Sequence, residues 1–193
     1  MTESLWAARA DELLRRTASA DPTPGGGSVA AIAGALGVGL LQMAVAVTAD
    51  LGLEGHAARL AQLQEAIVPA ADGDVEDFTA VLAAYRLPRG DDAQREARSR
   101  EIEKASVAAT ERPLALAETF ADALALSHQL ESLVKPTIKS DVLAGRDVIL
   151  GAARAAVRTA DINIGQLDRL SSPSAPQLHA RRDAVLVSLE GQT

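Results

Sequence analysis

"GGGSVAAIAGALGVGLLQMAVAVTAD", residues 25–50, decides the fold class. From position 29 to 47 nineteen residues pass with Gln42 as the only polar one. That length reaches the threshold for a transmembrane helix. The composition argues otherwise: six of the nineteen are Ala and three are Gly, which insert weakly, and no basic residue or aromatic belt flanks them. Asp21 and Asp50 bracket the run instead. A helix apolar all round is then the buried central helix of a bundle, with Gly34, Ala35, Gly37 and Gly39 admitting close neighbours.

The rest of the chain agrees. Apolar residues make up 48% of the 193, but aromatics only 2%, so the core is built from Ala, Leu and Val. Ala is the strongest helix former, and a β-rich chain would favour β-branched and aromatic residues. The length suits one domain, residues 1–193. The class expected is all-α, a single-domain bundle of about seven helices. Residues 3–19 read as an amphipathic helix with Leu5, Leu13 and Leu14 on one side and Thr2 or Ser4 as cap. "ADPTPGGG" breaks the chain, and Ser28 opens the apolar helix. A long helix over 54–86 carries Leu60, Leu63, Ile67, Val75, Phe78, Val81 and Leu82, with a kink expected at Pro69. A charged helix over 93–110 follows, and Pro113 marks the first turn of a fresh one. Ser140 reads as the N-cap of a helix over 141–170, and a short helix over 178–189 closes the chain.

Several function classes drop out. A net charge of −7 opposes nucleic-acid binding, which needs clustered Lys and Arg. The chain has no cysteine, which removes disulfides, thiol nucleophiles and thiolate metal sites. "MTESLWAARADELLRR" has acids and no apolar h-region, so it does not read as a signal peptide, and a cytoplasmic location without membrane association is expected. His56, His128 and His179 share no metal-ligand spacing, so no metal is expected. The glycine run is open to two readings. It is either an anion-binding concavity at a helix N-terminus or a plain turn with Ser28 as N-cap. A P-loop is excluded, because the Lys-Ser/Thr end and the preceding strand are missing. The acid/base candidates are carboxylates: Asp72, Asp74 and Asp77 in "DGDVEDF", Asp141 in "KSDV" and Asp161 in "TADINIGQL". Asp74 and Asp77 are three residues apart and share a helix face. Asp141, near a helix start, has its ionised form favoured and would act as a base.

Four segments in order resemble the cyclodeaminase/cyclohydrolase family of one-carbon folate metabolism, over residues 21–167. "PTPGGGSVAAIAGALGVGL" is similar to its Pro-x-Pro-Gly-Gly-Gly-Ser-Val opening. "DGDVEDFTAVLAAYRLPRG" is similar to its Asp-x-Asp-x-x-x-Phe segment, "ERPLALAET" to its Pro-Leu-x-Leu-Ala-Glu helix start, and "IKSDVLAG" with "DINIGQL" to its Ser-Asp and Ile-Asn-Leu elements. The resemblance implies an all-helical homodimer acting on a tetrahydrofolate derivative, with no tightly bound cofactor. The reaction implied is cyclisation of 5-formiminotetrahydrofolate with loss of ammonia, or hydration of 5,10-methenyltetrahydrofolate. Carried across by position, Asp141 is the acid/base, and Gly25, Gly26, Gly27 and Ser28 line the site. Asp74, Phe78 and Asn163 shape the pterin pocket, Ser140 beside Asp141 binds substrate as well, and Lys139, Arg146 or Arg89 meets the glutamate tail. The chain departs from the family in three places. "DLGLEGHAARL" replaces a basic Gly-Lys-Lys-Lys-Tyr-like segment, Thr159 stands where Asn is usual, and Asp161 replaces an apolar residue. The loss of positive charge motivates an alternative, a catalytically silent helical dimer that binds a folate-like ligand or a protein partner.

Overall fold

The computed structural model describes residues 4–48 and 52–192, and among them six α-helices and two 3-10 turns carry the fold, with no strand. A 3-10 turn over Leu5–Ala7 precedes α1 (Ala10–Thr17), α2 (Gly26–Val47), α3 (Glu54–Tyr85) and α4 (Asp92–Leu133). A second 3-10 turn, Pro136–Ile138, leads into α5 (Lys139–Arg169), and α6 (Ala175–Glu190) ends the described chain. The four long helices form a ring in which α2 packs on α3, α3 on α4, α4 on α5 and α5 back on α2, while α6 lies against α4 and α5.

The all-α expectation holds, and the differences in helix number have local causes. The segment over 3–19 divides, because Ala8 and Arg9 take extended backbone between the 3-10 turn and α1. Ser4 caps that first turn by accepting from the Trp6 N–H, while Thr2 lies outside the described residues. The expected break before Pro113 does not occur: α4 runs straight through it for 42 residues. Proline has no N–H to give the carbonyl four residues back, here Ala109. The Asn163 side chain of α5 supplies the missing donor, its Nδ2 reaching the Ala109 oxygen at 2.6 Å. α3 likewise continues through Pro69. Ser140 is not an N-cap, since α5 already starts at Lys139, straight out of the second 3-10 turn.

Close packing follows from the small residues of α2. A Cβ at Gly34 would sit 2.1 Å from the Phe120 ring, so α4's one phenylalanine fills the space that glycine leaves. A Cβ at Gly145 would lie 2.8 Å from the Gly37 carbonyl, so α2 and α5 meet nearly backbone to backbone. The two run antiparallel, with Gly26 beside Thr159, Gly37 beside Gly145, and Thr48 accepting from the Lys135 N–H. α2 is long and apolar enough to cross a membrane, yet its inner face, including Ala31, Val38, Leu41 and Ala44, is core. Its outer face is bare in the single chain. Leu36 is 64% exposed, and Val29, Met43 and Val47 join it, with Val148 and Ile162 of the neighbouring α5.

Candidate active site

The glycine run begins α2 at one end of the bundle. Gly25 is the N-cap residue and contributes no side-chain cap, so Ser28 is the third helical residue and not the cap. A carboxylate from α3 takes the capping role from outside: Asp74 Oδ2 accepts the Ser28 N–H at 2.9 Å. The Ser28 hydroxyl is fully buried, and its single proton lies between Asp74 Oδ2 and the Ala71 carbonyl, each at 2.9 Å. A helix N-terminus presents unpaired N–H groups and partial positive charge to such an anion. The fit requires Gly27, since a Cβ there would fall 2.1 Å from Asp74 Oδ1. Gly26 is under no such pressure: its Cβ would stand at an ordinary 3.5 Å from Thr159 Oγ1 of α5.

Asp74 of α3 and Thr159 of α5 stand beside Gly27 and Gly26 in the first turn of α2, and farther along Gln166 of α5 meets Tyr85 of α3. The stretch of the two helices between these contacts is the candidate trough. On the α3 side Asp74 is followed at helical spacing by Phe78, Leu82 and Tyr85, all three partly exposed. On the α5 side stand Thr159, Ile162, Asn163 and Gln166. Gln166 Nε2 donates to the Tyr85 hydroxyl at 2.5 Å and ties the two walls together at the far end. An apolar wall, a carboxylate at its base and glycine backbone under it suit a flat heterocycle with a polar edge. The grooves elsewhere lack this convergence. One of about 580 Å³ between α3 and α4 contains Arg112 and Arg181, both already paired with carboxylates, Asp77 and Glu118.

The three aspartates of "DGDVEDF" divide their work. Asp72 accepts from the Ser4 hydroxyl and the Leu5 N–H and so fastens the N-terminal turn. Asp77 forms a two-pronged pair with Arg112 of α4, whose guanidinium it pushes above its ordinary range. Asp74 alone turns to the α2 N-terminus, against Gly27 and Ser28. Asp161 is paired with Arg182 of α6, and Asn163 spends its amide on Ala109.

The structure therefore brings Gly25, Gly26, Gly27, Ser28, Asp74, Phe78 and Asn163 to one end of the bundle and leaves Lys139, Ser140 and Asp141 at the other. Asp141 and Thr159 are eighteen residues apart on α5, five turns and about 27 Å along one face. At the Asp141 end, Glu131 of α4 accepts from Lys139 at 3.0 Å and from Arg146 at 2.9 Å. Those two cations hold the Glu131 carboxyl below its usual range. Arg146 also donates to the Ser127 hydroxyl and carbonyl. Ser140 donates to Asp141 only at a long 3.4 Å. Arg89 lies in the α3–α4 turn, at the trough's far end. Among the described residues no group of three His, Asp or Glu could hold a metal ion. Sequence reasoning passed over Thr159 as a departure and did not single out Tyr85 or Gln166. Four-residue spacing from Asn163, and Tyr85 being the chain's one tyrosine, were the available signals.

Comparison with known proteins points the same way. A profile of the formiminotransferase-cyclodeaminase family matches residues 9–172. A methenyltetrahydrofolate cyclohydrolase of Methylorubrum extorquens is 32% identical over 155 residues, 76% of this chain and 73% of that protein. The crystal structure of formiminotetrahydrofolate cyclodeaminase from Thermotoga maritima superposes with a TM-score of 0.82 at 19% identity, covering 98% of this chain and 93% of that one. At that identity the structural likeness shows the fold alone.

Proposed function

Because the chain belongs to the formiminotransferase-cyclodeaminase family, we propose that it is a folate enzyme hydrating 5,10-methenyltetrahydrofolate to the 10-formyl form, with the trough as its site. The observation that carries the reading is Asp74 held at the glycine-built mouth, one turn below Phe78 on an otherwise apolar wall. The Methylorubrum relative, 32% identical, is a cyclohydrolase, which favours hydration over cyclodeamination.

The substrate's one-carbon unit is a cationic imidinium carbon between two nitrogens. Water attacks that carbon and gives one proton to the Asp74 carboxylate, whose Oδ1, beside Gly27, has no hydrogen-bond partner among the described residues. The ring carbon–nitrogen bond then breaks as Asp74 returns the proton to the departing ring nitrogen. The hydroxyl proton leaves to solvent as the formyl C=O forms, so the cation and water yield 10-formyl product and one proton. A positioned carboxylate of this kind contributes roughly 10²–10⁴-fold. Phe78 supports the ring system, and Ser28 fixes Asp74 Oδ2.

We further propose a cytoplasmic homodimer paired through the bare α2 face. In such a dimer Asp141, which shares the Thr159 face of α5, reaches a mouth only as the partner's residue. Absorbance decay of 5,10-methenyltetrahydrofolate with the wild type, Asp74→Asn and Asp141→Asn tests the assignment. Turnover lost by at least about 100-fold in Asp74→Asn is expected. Full activity in that variant would overturn the role of Asp74. No turnover by the wild type, with ammonia released from 5-formiminotetrahydrofolate, would make the chain a cyclodeaminase. Saturable binding of a reduced folate with neither reaction would leave the silent dimer.

A further inference from the structure

Two side chains stand nearest the glycine turn that opens α2. Asp74 of α3 lies against Gly27, and Thr159 of α5 lies against Gly26. Successive helical residues point about 100° apart round the axis, so the carboxylate and the hydroxyl approach this turn from two sides. Gly26 is exposed and Thr159 partly so, which leaves the hydroxyl within reach of a water at the mouth. An attacking water has two protons, and Asp74 takes one of them.

A threonine hydroxyl has one proton and two acceptor lone pairs. Thr159 gives its proton to the Ala155 carbonyl, one turn back in α5, at 3.2 Å. Branching at Cβ restricts χ1 in a helix, and the bond to the carbonyl four residues back selects the rotamer. Oγ1 is then the one Thr159 atom within 4 Å of where a Gly26 Cβ would stand, so the oxygen and not the methyl faces the glycine. Toward a ligand this oxygen is an acceptor. Its polar neighbours along α5 are committed, Asn163 through its amide to Ala109 and Gln166 to the Tyr85 hydroxyl. The Ser28 hydroxyl is fully buried against Asp74 and Ala71.

We propose that Thr159 holds the attacking water and sets this site to hydration rather than cyclodeamination. The inference rests on hydration at Asp74 as the reaction. One O–H of the water points to Asp74 Oδ1, and its proton is transferred as the new carbon–oxygen bond forms. The other O–H points to Thr159 Oγ1, which turns a lone pair of the water toward the one-carbon unit. That second proton leaves to solvent as the formyl C=O forms. Cyclodeamination makes the opposite demand. No water enters, the folate's second nitrogen attacks the formimino carbon, and the bond to the departing ammonia breaks as that nitrogen gains a proton. A hydroxyl whose proton rests on Ala155 offers none.

Steady-state hydration of 5,10-methenyltetrahydrofolate, corrected for the spontaneous rate, tests this with Thr159→Val, Thr159→Ser and Thr159→Asn beside the wild type. Thr159→Val keeps the shape and removes the acceptor, so kcat should fall about tenfold, the scale of one hydrogen bond to the nucleophile. KM should stay within about twofold, because the lost bond is made to the water and not to the folate. Thr159→Ser keeps the oxygen and should fall between. Thr159→Asn brings an N–H donor, so ammonia release from 5-formiminotetrahydrofolate should rise relative to hydration. Thr119→Val loses the same kind of bond on α4, to the Ala115 carbonyl, and should match the wild type in both parameters. A wild-type kcat in Thr159→Val, or a loss of rate that a fall in Tm accounts for, overturns the role of Thr159 and leaves Asp74 standing. A wild type that hydrates no methenyl substrate overturns both.

Discussion

Gly26 and Gly27 are neighbours in one glycine run, yet the space around them differs. A methyl at position 27 would fall within 2.1 Å of Asp74 Oδ1 and push the carboxylate off the α2 N-terminus. Gly27→Ala should therefore cost about 1–3 kcal/mol, the usual range for overpacking a tight site, and should lower turnover as well. Gly26→Ala meets only ordinary contact and should leave stability within about 0.5 kcal/mol. Gly26→Val, which narrows the mouth beside Thr159, should weaken folate binding more than it lowers Tm. Thermal melts beside ligand titrations separate the three variants. An equal loss of stability in Gly26→Ala and Gly27→Ala would show that Asp74 does not rest where the structure puts it. Much of this end of the site was legible: "PGGGS" and "DGDVEDF" each announced a special backbone or carboxylate. Their pairing was not, because the chain over the 46-residue separation of Ser28 and Asp74 carries no sign of which aspartate turns inward. Nor did spacing show that Asp74 and Asp77, on one nominal face, would point to different helices.

Helices are written in the sequence by period and breakers, and here one breaker misled. Pro113 reads as a helix start because proline suits a first turn. The alternative, an interior proline, demands that the freed carbonyl find a donor, and that donor lies 54 residues away in Asn163. No local pattern encodes it. The same fact gives Asn163 a structural role beside the one expected of it in the pocket, keeping α4 whole. Asn163→Ala should cost about 1–3 kcal/mol, the penalty for leaving a partly buried acceptor unpaired. Pro113→Ala restores an N–H that can bond Ala109 within the helix, so the double variant should regain most of that loss. Urea denaturation of the four proteins gives the coupling directly. Strict additivity would mean that the Asn163 bond to Ala109 carries no stability. The long helices themselves were plain in the sequence, since α2, α3 and α5 follow apolar runs bounded by Pro, Gly and Asp.

At the scale of the whole molecule the unsettled surface is the outer side of α2. No charged residue occurs between positions 22 and 49, and yet Leu36 and Val47 are 64% and 49% exposed. Two helices about 10 Å wide and about 33 Å long offer on the order of 650 Å² of flat face before side chains roughen it. A standard stable interface needs roughly 800 Å² per partner, so a second copy of this face is a matching cover. A two-fold axis near Leu36, perpendicular to α2, pairs each helix with its own reverse and opposes their dipoles favourably. In the proposed homodimer it would lay the Asp141 end of one α5 against the glycine mouth of the other chain, so that a carboxylate from each copy would flank the proposed cationic one-carbon unit. Leu36→Glu should yield a monomer by light scattering, with turnover lost alongside the dimer. The sharper test mixes Asp74→Asn and Asp141→Asn chains carrying different tags. Each parent dimer should be inactive, because every site lacks one aspartate. In the purified mixed dimer one site has lost both and the other has both, so about half the wild-type activity should return. A mixed dimer as inactive as its parents would place both aspartates in one chain's site, against the 27 Å that separates them along α5. An active Asp141→Asn parent would instead remove Asp141 from the chemistry and leave the mouth to Asp74 alone.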